Sequence, residues 1–161
     1  MITQRLTLFV LLALLAWAPA AFAQNEMQTI LDAHNADRAK HCVPPLTWSP
    51  EVAATAQIWA NHCDFNHDRN NNDLGENLAW GYPHLSAGES VRMWYDEISE
   101  YDYNHPGFGP AGHFTQLIWR GSRQLGCAKA ICGRYTYWVC RYYPAGNYEG
   151  EYRANVSPPC R

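Results

Sequence analysis

Apolar residues recur at helical spacing in the first third of the chain. Met27, Ile30, Leu31 and His34 fall on one face and predict a helix over Asn25 to Lys40, ended by Cys42 to Pro45. Ser49-Pro50-Glu51 then supplies a cap, a proline at the first helical position and an early acid. The helix it opens carries Val52, Ala56 and Trp59 to about Cys63. Asp64 to Asp73 is polar and rich in Asn, which predicts a loop, and the second half of Leu74–Gly81 predicts a short strand. Ser86-Ala87-Gly88-Glu89 is a capping box before a helix with Val91, Trp94 and Ile98 on one face. A Gly/Pro loop over Tyr101 to Ala111 separates that helix from a short one at Gly112–Trp119. Gln124–Ile131 and Thr136–Tyr142 have strand composition and flank Gly133, which predicts an antiparallel hairpin before an irregular Pro/Gly/Asn tail. Helices first and a hairpin late predict an α+β fold. No repeat, linker or low-complexity tract divides it, so one domain is expected.

The first 23 residues stand apart from this pattern. Arg5 precedes an apolar run from Leu6 to Ala18, too short to cross a bilayer comfortably, and Ala21-Phe22-Ala23 is a small-x-small cleavage site. Residues 1–23 therefore read as a secretory signal peptide and 24–161 as the domain, placed outside the cell or in the periplasm, with no transmembrane segment. Net charge is −3, and one unit more negative without Arg5. No basic stripe of the kind selected by nucleic acid or an acidic membrane is present. Seven Trp and ten Tyr suffice to fill a core and leave some for a groove.

Six cysteines behind a signal peptide predict three disulfides. Cys127 and Cys140 lie equally far from a turn centred between Gly133 and Arg134, so the hairpin sets them face to face. Cys132 is an odd number of residues from Cys127 and points to the other sheet face. Its partner is then distant, with Cys63 and the terminal cysteines as choices. A cysteine zinc site is disfavoured: there is no C-x-x-C, and Cys127 and Cys132 have no paired ligands nearby.

Two stretches carry a resemblance. Gly112-His113-Phe114-Thr115-Gln116-Leu117-Ile118-Trp119 matches G-H-[FY]-T-Q-[LV]-[IV]-W, and Cys140-Arg141-Tyr142-Tyr143-Pro144-Ala145-Gly146-Asn147-Tyr148 matches C-x-Y-x-P-x-G-N-[YW]. On these the chain resembles the CAP superfamily of cysteine-rich secretory proteins, antigen 5 and plant pathogenesis-related class 1 proteins, over about Gln24 to Tyr152. The resemblance implies an α-β-α sandwich, with a small antiparallel sheet between helical layers. It implies bridges Cys63–Cys132 and Cys127–Cys140, leaving Cys42 with Cys160. The plant pattern places its third bridge before the GHFTQ-like motif, where this chain has no cysteine. The resemblance also implies a cleft tetrad: His67, four after Cys63; Glu76 of Gly75-Glu76-Asn77-Leu78; Glu97, three after Trp94; and His113.

Two neutral imidazoles suit zinc, so His67 and His113 are the expected metal ligands and Zn²⁺ the expected cofactor. The two acids would fix the imidazole tautomers or act as acid and base. No G-x-S-x-G is present and the cysteines are committed to bridges, so no catalytic residue is assigned. The expected function is a secreted, non-enzymatic binding module with a lipid or sterol ligand, or an extracellular protein partner. The alternative is a metal-dependent hydrolase using the same tetrad, and a glycosidase on Glu76 and Glu97 is a lesser one. Plainer roles are expected elsewhere. His34 and Arg38 hold the first helix to the tail through buried hydrogen bonds. Thr115 and Gln116 satisfy backbone groups, and Trp94, Trp119 and Trp138 are core. Asn66–Asn72 is a solvated loop without calcium-loop spacing. Asn155-Val156-Ser157 is a glycosylation sequon followed by proline. The plant family's peptide release from the segment matching Pro144–Tyr152 is not carried over, because this chain lacks the closing Pro-Tyr and continues to Arg161.

Overall fold

A computed structural model describes residues 18–71 and 73–160, with side chains from Asn25 onward. Most of the expected leader lies outside the described residues. The first helix, α1 (Ala18–Lys40), begins seven residues before the predicted start and ends where expected. Its end is a Schellman motif: Cys42 N–H donates to Ala39 C=O (3.1 Å) and Val43 N–H to Arg38 C=O (3.3 Å). The left-handed position belongs to Cys42 (φ 52°), where glycine is usual. After β1 (Thr47–Trp48), Ser49 caps α2 (Pro50–Ala60) by accepting from Val52 N–H at 3.2 Å. Strand β2 covers Gly75–Gly81, starting earlier than the predicted second half of Leu74–Gly81. Ser86 and Glu89 form the expected capping box on α3 (Ala87–Asp96), which tightens into a 3₁₀ turn at Glu97–Glu100. Helix α4 (Gly112–Ile118), strands β3 (Gln124–Cys132) and β4 (Tyr135–Tyr143) and a short α5 (Tyr152–Asn155) complete the chain.

The sheet order is β1-β3-β4-β2. It corrects one expectation: the sheet is mixed, because the two-residue β1 runs parallel to β3 while the other pairings are antiparallel. So short a strand leaves no periodic signal in the sequence. Alternation along the strands makes two cores. Leu78, Ala128, Tyr137 and Val139 meet Ala56 and Ala60 of α2 on one face. Leu125, Trp138, Cys140 and Tyr142 meet Ile30, Val91, Trp94, Phe114 and Leu117 of α1, α3 and α4 on the other. The α-β-α sandwich is therefore as expected. Full burial of a side chain such as Leu117 or Phe114 contributes about 1.5–3 kcal/mol. Gly126 lets β3 pass under α2: a Cβ there would stand 2.1 Å from Ala53 N.

All three expected bridges are formed: Cys42–Cys160, Cys63–Cys132 and Cys127–Cys140, the last joining directly opposed residues of β3 and β4. Trp94, Trp119 and Trp138 are buried as expected. His34 and Arg38 are buried too, but they do not reach the tail. His34 Nδ1–H donates to Ile30 C=O (2.7 Å), so its Nε2 accepts from the Tyr142 hydroxyl (2.8 Å). Arg38 donates to the carbonyls of Pro44, Leu117, Trp119 and Ser122, covering the bare C-terminal end of α4. The tail is held instead by His41, whose Nδ1 bonds Ser157 C=O at 2.7 Å, and by Cys160 N–H on Lys40 C=O at 2.8 Å.

Candidate functional site

Strand β2 lies at the sheet edge, and alternation turns Glu76 toward the face that holds α2. Arg141 sits directly opposite it on β4. A cation in so buried a strand requires acids, and Arg141 has two. Its Nε and Nη2 donate to Glu76 Oε2 at 3.1 and 3.0 Å, and Nη2 also donates to Asp68 Oδ2 at 2.7 Å. The other oxygen of Glu76 accepts from Asp68 N–H (3.1 Å) and from His67 Nδ1–H (2.9 Å). Four donors thus surround one buried carboxylate. Burial pushes the Asp68 carboxyl up, but the Asn70 N–H and the Arg141 guanidinium outweigh it and hold it below the usual range.

A second dyad is built from the other layer. The 3₁₀ turn after α3 aims Glu97 at the first turn of α4. Its Oε2 accepts from the N–H groups of His113 (3.0 Å) and Phe114 (3.2 Å), and Oε1 accepts from His113 Nδ1–H at 2.6 Å. Helix α4 has no other side-chain cap at this end, so Glu97 supplies it. Asn77, next to Glu76 but on the opposite sheet face, donates to His113 C=O (2.9 Å) and to the Tyr142 hydroxyl (3.1 Å). That hydroxyl accepts from Asn77 and donates to His34, so one polar chain runs from α1 through β4 and β2 to the base of His113. Burial holds His34 down to about 4, which keeps the chain neutral at physiological pH.

The two imidazoles face each other across the gap between these dyads, with centroids 6.3 Å apart and planes inclined by 33°. A carboxylate can only accept, so each ring carries a proton on Nδ1, and the neutral imidazole then leaves Nε2 bare. Neither Nε2 has a protein partner among the described residues. A hollow of about 320 Å³, lined by Trp59, Asp64, Asn66, His67, Asp68 and Asn70, opens beside His67. The side chains of His67 and His113 are 62% and 33% exposed, so both are open to a ligand. Among the described residues no group of three or more His, Cys, Asp or Glu side chains is arranged as a metal cage. The two carboxylates orient the imidazoles, and the donors available to an ion are the two Nε2 atoms.

His67, Glu76, Glu97 and His113 are therefore brought together, as two His–Glu pairs. Sequence reasoning missed Asp68, Asn77 and Arg141, which hold those pairs in place. Arg141 had a readable signal: a charge inside the run Trp138-Val139-Cys140-Arg141-Tyr142. Thr115 and Gln116 serve the backbone as expected, Thr115 bonding Gly112 C=O and Asn147, and Gln116 accepting from Gly146 N–H.

Comparison with known proteins agrees with this architecture. The sequence profile of the cysteine-rich secretory protein (CAP) family matches residues 31–142. Pathogenesis-related protein 1A of Nicotiana tabacum is 42% identical over 148 residues, covering 88% of this chain and 88% of that protein. Protein PRY2 of Saccharomyces cerevisiae is 42% identical over 136 residues, 81% of this chain and 40% of that protein. Among solved structures, Na-ASP-1 superposes with a TM-score of 0.69 at 26% identity, over 78% of this chain and 40% of that one.

Proposed function

The chain belongs to the cysteine-rich secretory protein (CAP) family, and on that premise we propose that it is an extracellular binding module and not an enzyme. The reading rests on the hydrogen bonds in which both cleft carboxylates are already engaged. Glu76 accepts from His67, Asp68 and Arg141, and Glu97 from His113 and Phe114. Both acids are engaged in orienting the imidazoles, whereas both imidazoles offer an unpaired nitrogen. The cleft is thus built to receive an electrophile, and Zn²⁺ between His67 and His113 fits the donor set. Bound there, the ion would supply Lewis acidity. The protein's own part is to hold the two lone pairs in place through Glu76 and Glu97. Calorimetric titration of the metal-free protein with zinc tests this: stoichiometric binding lost in His113→Ala supports it, and no heat of binding refutes it.

The organic ligand in this reading is a lipid or sterol. It is supported by the loop before α4, where Phe108 is 73% exposed and the buried hydroxyls of Tyr101 and Tyr103 have no hydrogen-bond partner. A buried hydroxyl without a partner costs about 1–3 kcal/mol, and a ligand hydroxyl would relieve it. Extraction and mass spectrometry after exposure to a panel of sterols and fatty acids should recover a retained lipid. Recovery of none refutes the lipid assignment. The hydrolase reading requires a free general base, and turnover abolished by Glu76→Gln or Glu97→Gln with folding intact would restore it.

A further inference from the structure

Five of the chain's exposed large apolar side chains gather at one end of the sheet: Phe65, Trp80, Tyr82, Ile131 and Tyr135. Four of them form a continuous row. Phe65 stacks on Trp80 and Trp80 on Tyr135, each at 4.8 Å and 26°, and Tyr82 leans on Tyr135 at 5.4 Å. Register explains the row: Trp80 on β2 lies opposite Tyr137 on β4, diagonal to Tyr135 on the same face. Contiguous exposed apolar surface of this kind marks an interaction site.

The geometry decides what kind of partner fits. Both faces of the Trp80 ring are covered by its neighbours, so it has no free face on which a sugar or a base could stack. Trp80, Tyr82 and Tyr135 are exposed, and the Trp80 indole N–H and the Tyr82 and Tyr135 hydroxyls make no protein hydrogen bond among the described residues. Apolar bodies with polar tips match the water–lipid boundary of a bilayer. Beside the row, a hollow of about 380 Å³ opens between Tyr82-Pro83-His84 and Ile131, Gly133 and Arg134. Arg134 makes no ion pair among the described residues, and its guanidinium complements a phosphate. Ile131, 62% exposed at the hairpin tip, completes the apolar edge of the hollow. The far end of the row carries Asp64 beside Phe65 and is the less suited to phosphate.

We propose that this aromatic ridge at the tip of the β3–β4 hairpin docks on the headgroup region of a lipid bilayer, with Arg134 on a lipid phosphate. The contact is apolar first and ionic second, which suits a chain with net charge −3 and no basic stripe. Docking of this kind differs from lipid retention, because the partner is a surface and not a bound molecule.

Cosedimentation of the disulfide-bonded protein with sterol-free phosphatidylcholine vesicles tests it. The wild type binds, and adding phosphatidylglycerol strengthens binding by less than about tenfold, as one arginine allows. Trp80→Ser combined with Tyr82→Ser weakens binding by about tenfold or more, and Arg134→Gln by about fivefold. If the double variant does not fold, quenching of wild-type tryptophan fluorescence by brominated phosphatidylcholine gives the answer instead. Absence of vesicle binding, binding unchanged in a folded double variant, or absence of quenching overturns the proposal. So does a wild type that ignores vesicles but self-associates through these residues in sedimentation velocity, which would make the ridge a protein interface.

Discussion

Replacing either cleft glutamate by glutamine is a minimal change, and the structure assigns the two replacements opposite consequences. At Glu97, the Oε2 position must still accept from the N–H groups of His113 and Phe114. The amide oxygen therefore goes there, and the amide NH₂ faces His113 Nδ1. A donor at that place forces Nδ1 to accept, which moves the ring proton to Nε2. Glu97→Gln thus folds but inverts the tautomer and removes the lone pair from the cleft. Two bonds to a charged acceptor become bonds to a neutral one, at about 1 kcal/mol each, for a loss of about 2 kcal/mol. If zinc is held as proposed, its affinity falls at least 10–100-fold, about what the loss of an outer-shell partner costs.

At Glu76 no orientation of an amide is satisfactory. One position faces Arg141 and the other faces His67 and the Asp68 N–H, so the NH₂ always meets donors. Arg141 keeps only Asp68 as a charged partner, and the buried network is broken at a cost of about 3 kcal/mol or more. Imidazole ¹⁵N–¹H correlation spectra read the tautomers directly, and guanidinium denaturation reads the stability. If His113 Nε2 stays unprotonated in Glu97→Gln, or if the two variants are equally stable, the hydrogen-bond directions derived above are wrong.

Three further outcomes follow from the packing. Burial holds His34 at about 4 in the fold against an ordinary 6.5, so between those values the unfolded chain binds a proton that the native chain refuses. Stability is full above pH 6.5 and declines by about 3 kcal/mol as pH falls through 4, and urea titrations in His34→Gln should lack most of that decline. Gly126→Ala places a methyl on the backbone of α2 and should cost about 3 kcal/mol or more, seen as a lowered Tm; a Tm change within a degree or two would contradict the close approach. Cys42→Ser with Cys160→Ser opens a bridge spanning 118 residues and should cost about 4 kcal/mol in denaturant, while near-ultraviolet circular dichroism still reports a packed core.

What the sequence announced and what it hid divide along physical lines. The α3 cap, the β3–β4 hairpin and the Cys127–Cys140 bridge are local: each follows from residues of one continuous segment whose spacing has one geometric meaning. The end of α1 was also legible, but not its mechanism, because a cysteine takes the left-handed position where glycine is the usual signal. Strand β1 was invisible for a different reason. Two residues have no periodicity, and their extended state is held from outside the segment: Thr47 N–H donates to Arg123 C=O and the neighbouring Ser49 N–H to Leu125 C=O. The roles of His34 and Arg38 were half legible: burial was expected, but partners come from contacts across α4 and β4 that no single segment contains.

The cleft shows the same division, and it bears on how the site works. Four residues could be named from motifs, yet their chemistry depends on three others whose contacts are non-local. Taken alone, two acids beside two histidines suggest proton transfer. Placed against Arg141, Asp68 and the first turn of α4, the acids become fixed acceptors and the histidines become presented lone pairs. The two arms differ in stiffness as well. His113 sits on helix α4, with Glu97 held by two of that helix's own N–H groups, whereas His67 rides on a polar loop tied down by Glu76 and Arg141 on one side and by the Cys63–Cys132 bridge and the Trp59 indole on the other. A ligand that bridges the two rings must therefore order the His67 side more than the His113 side. Substitutions in the Arg141 network should weaken binding chiefly through that ordering cost, and those at Glu97 chiefly through the donor atom itself.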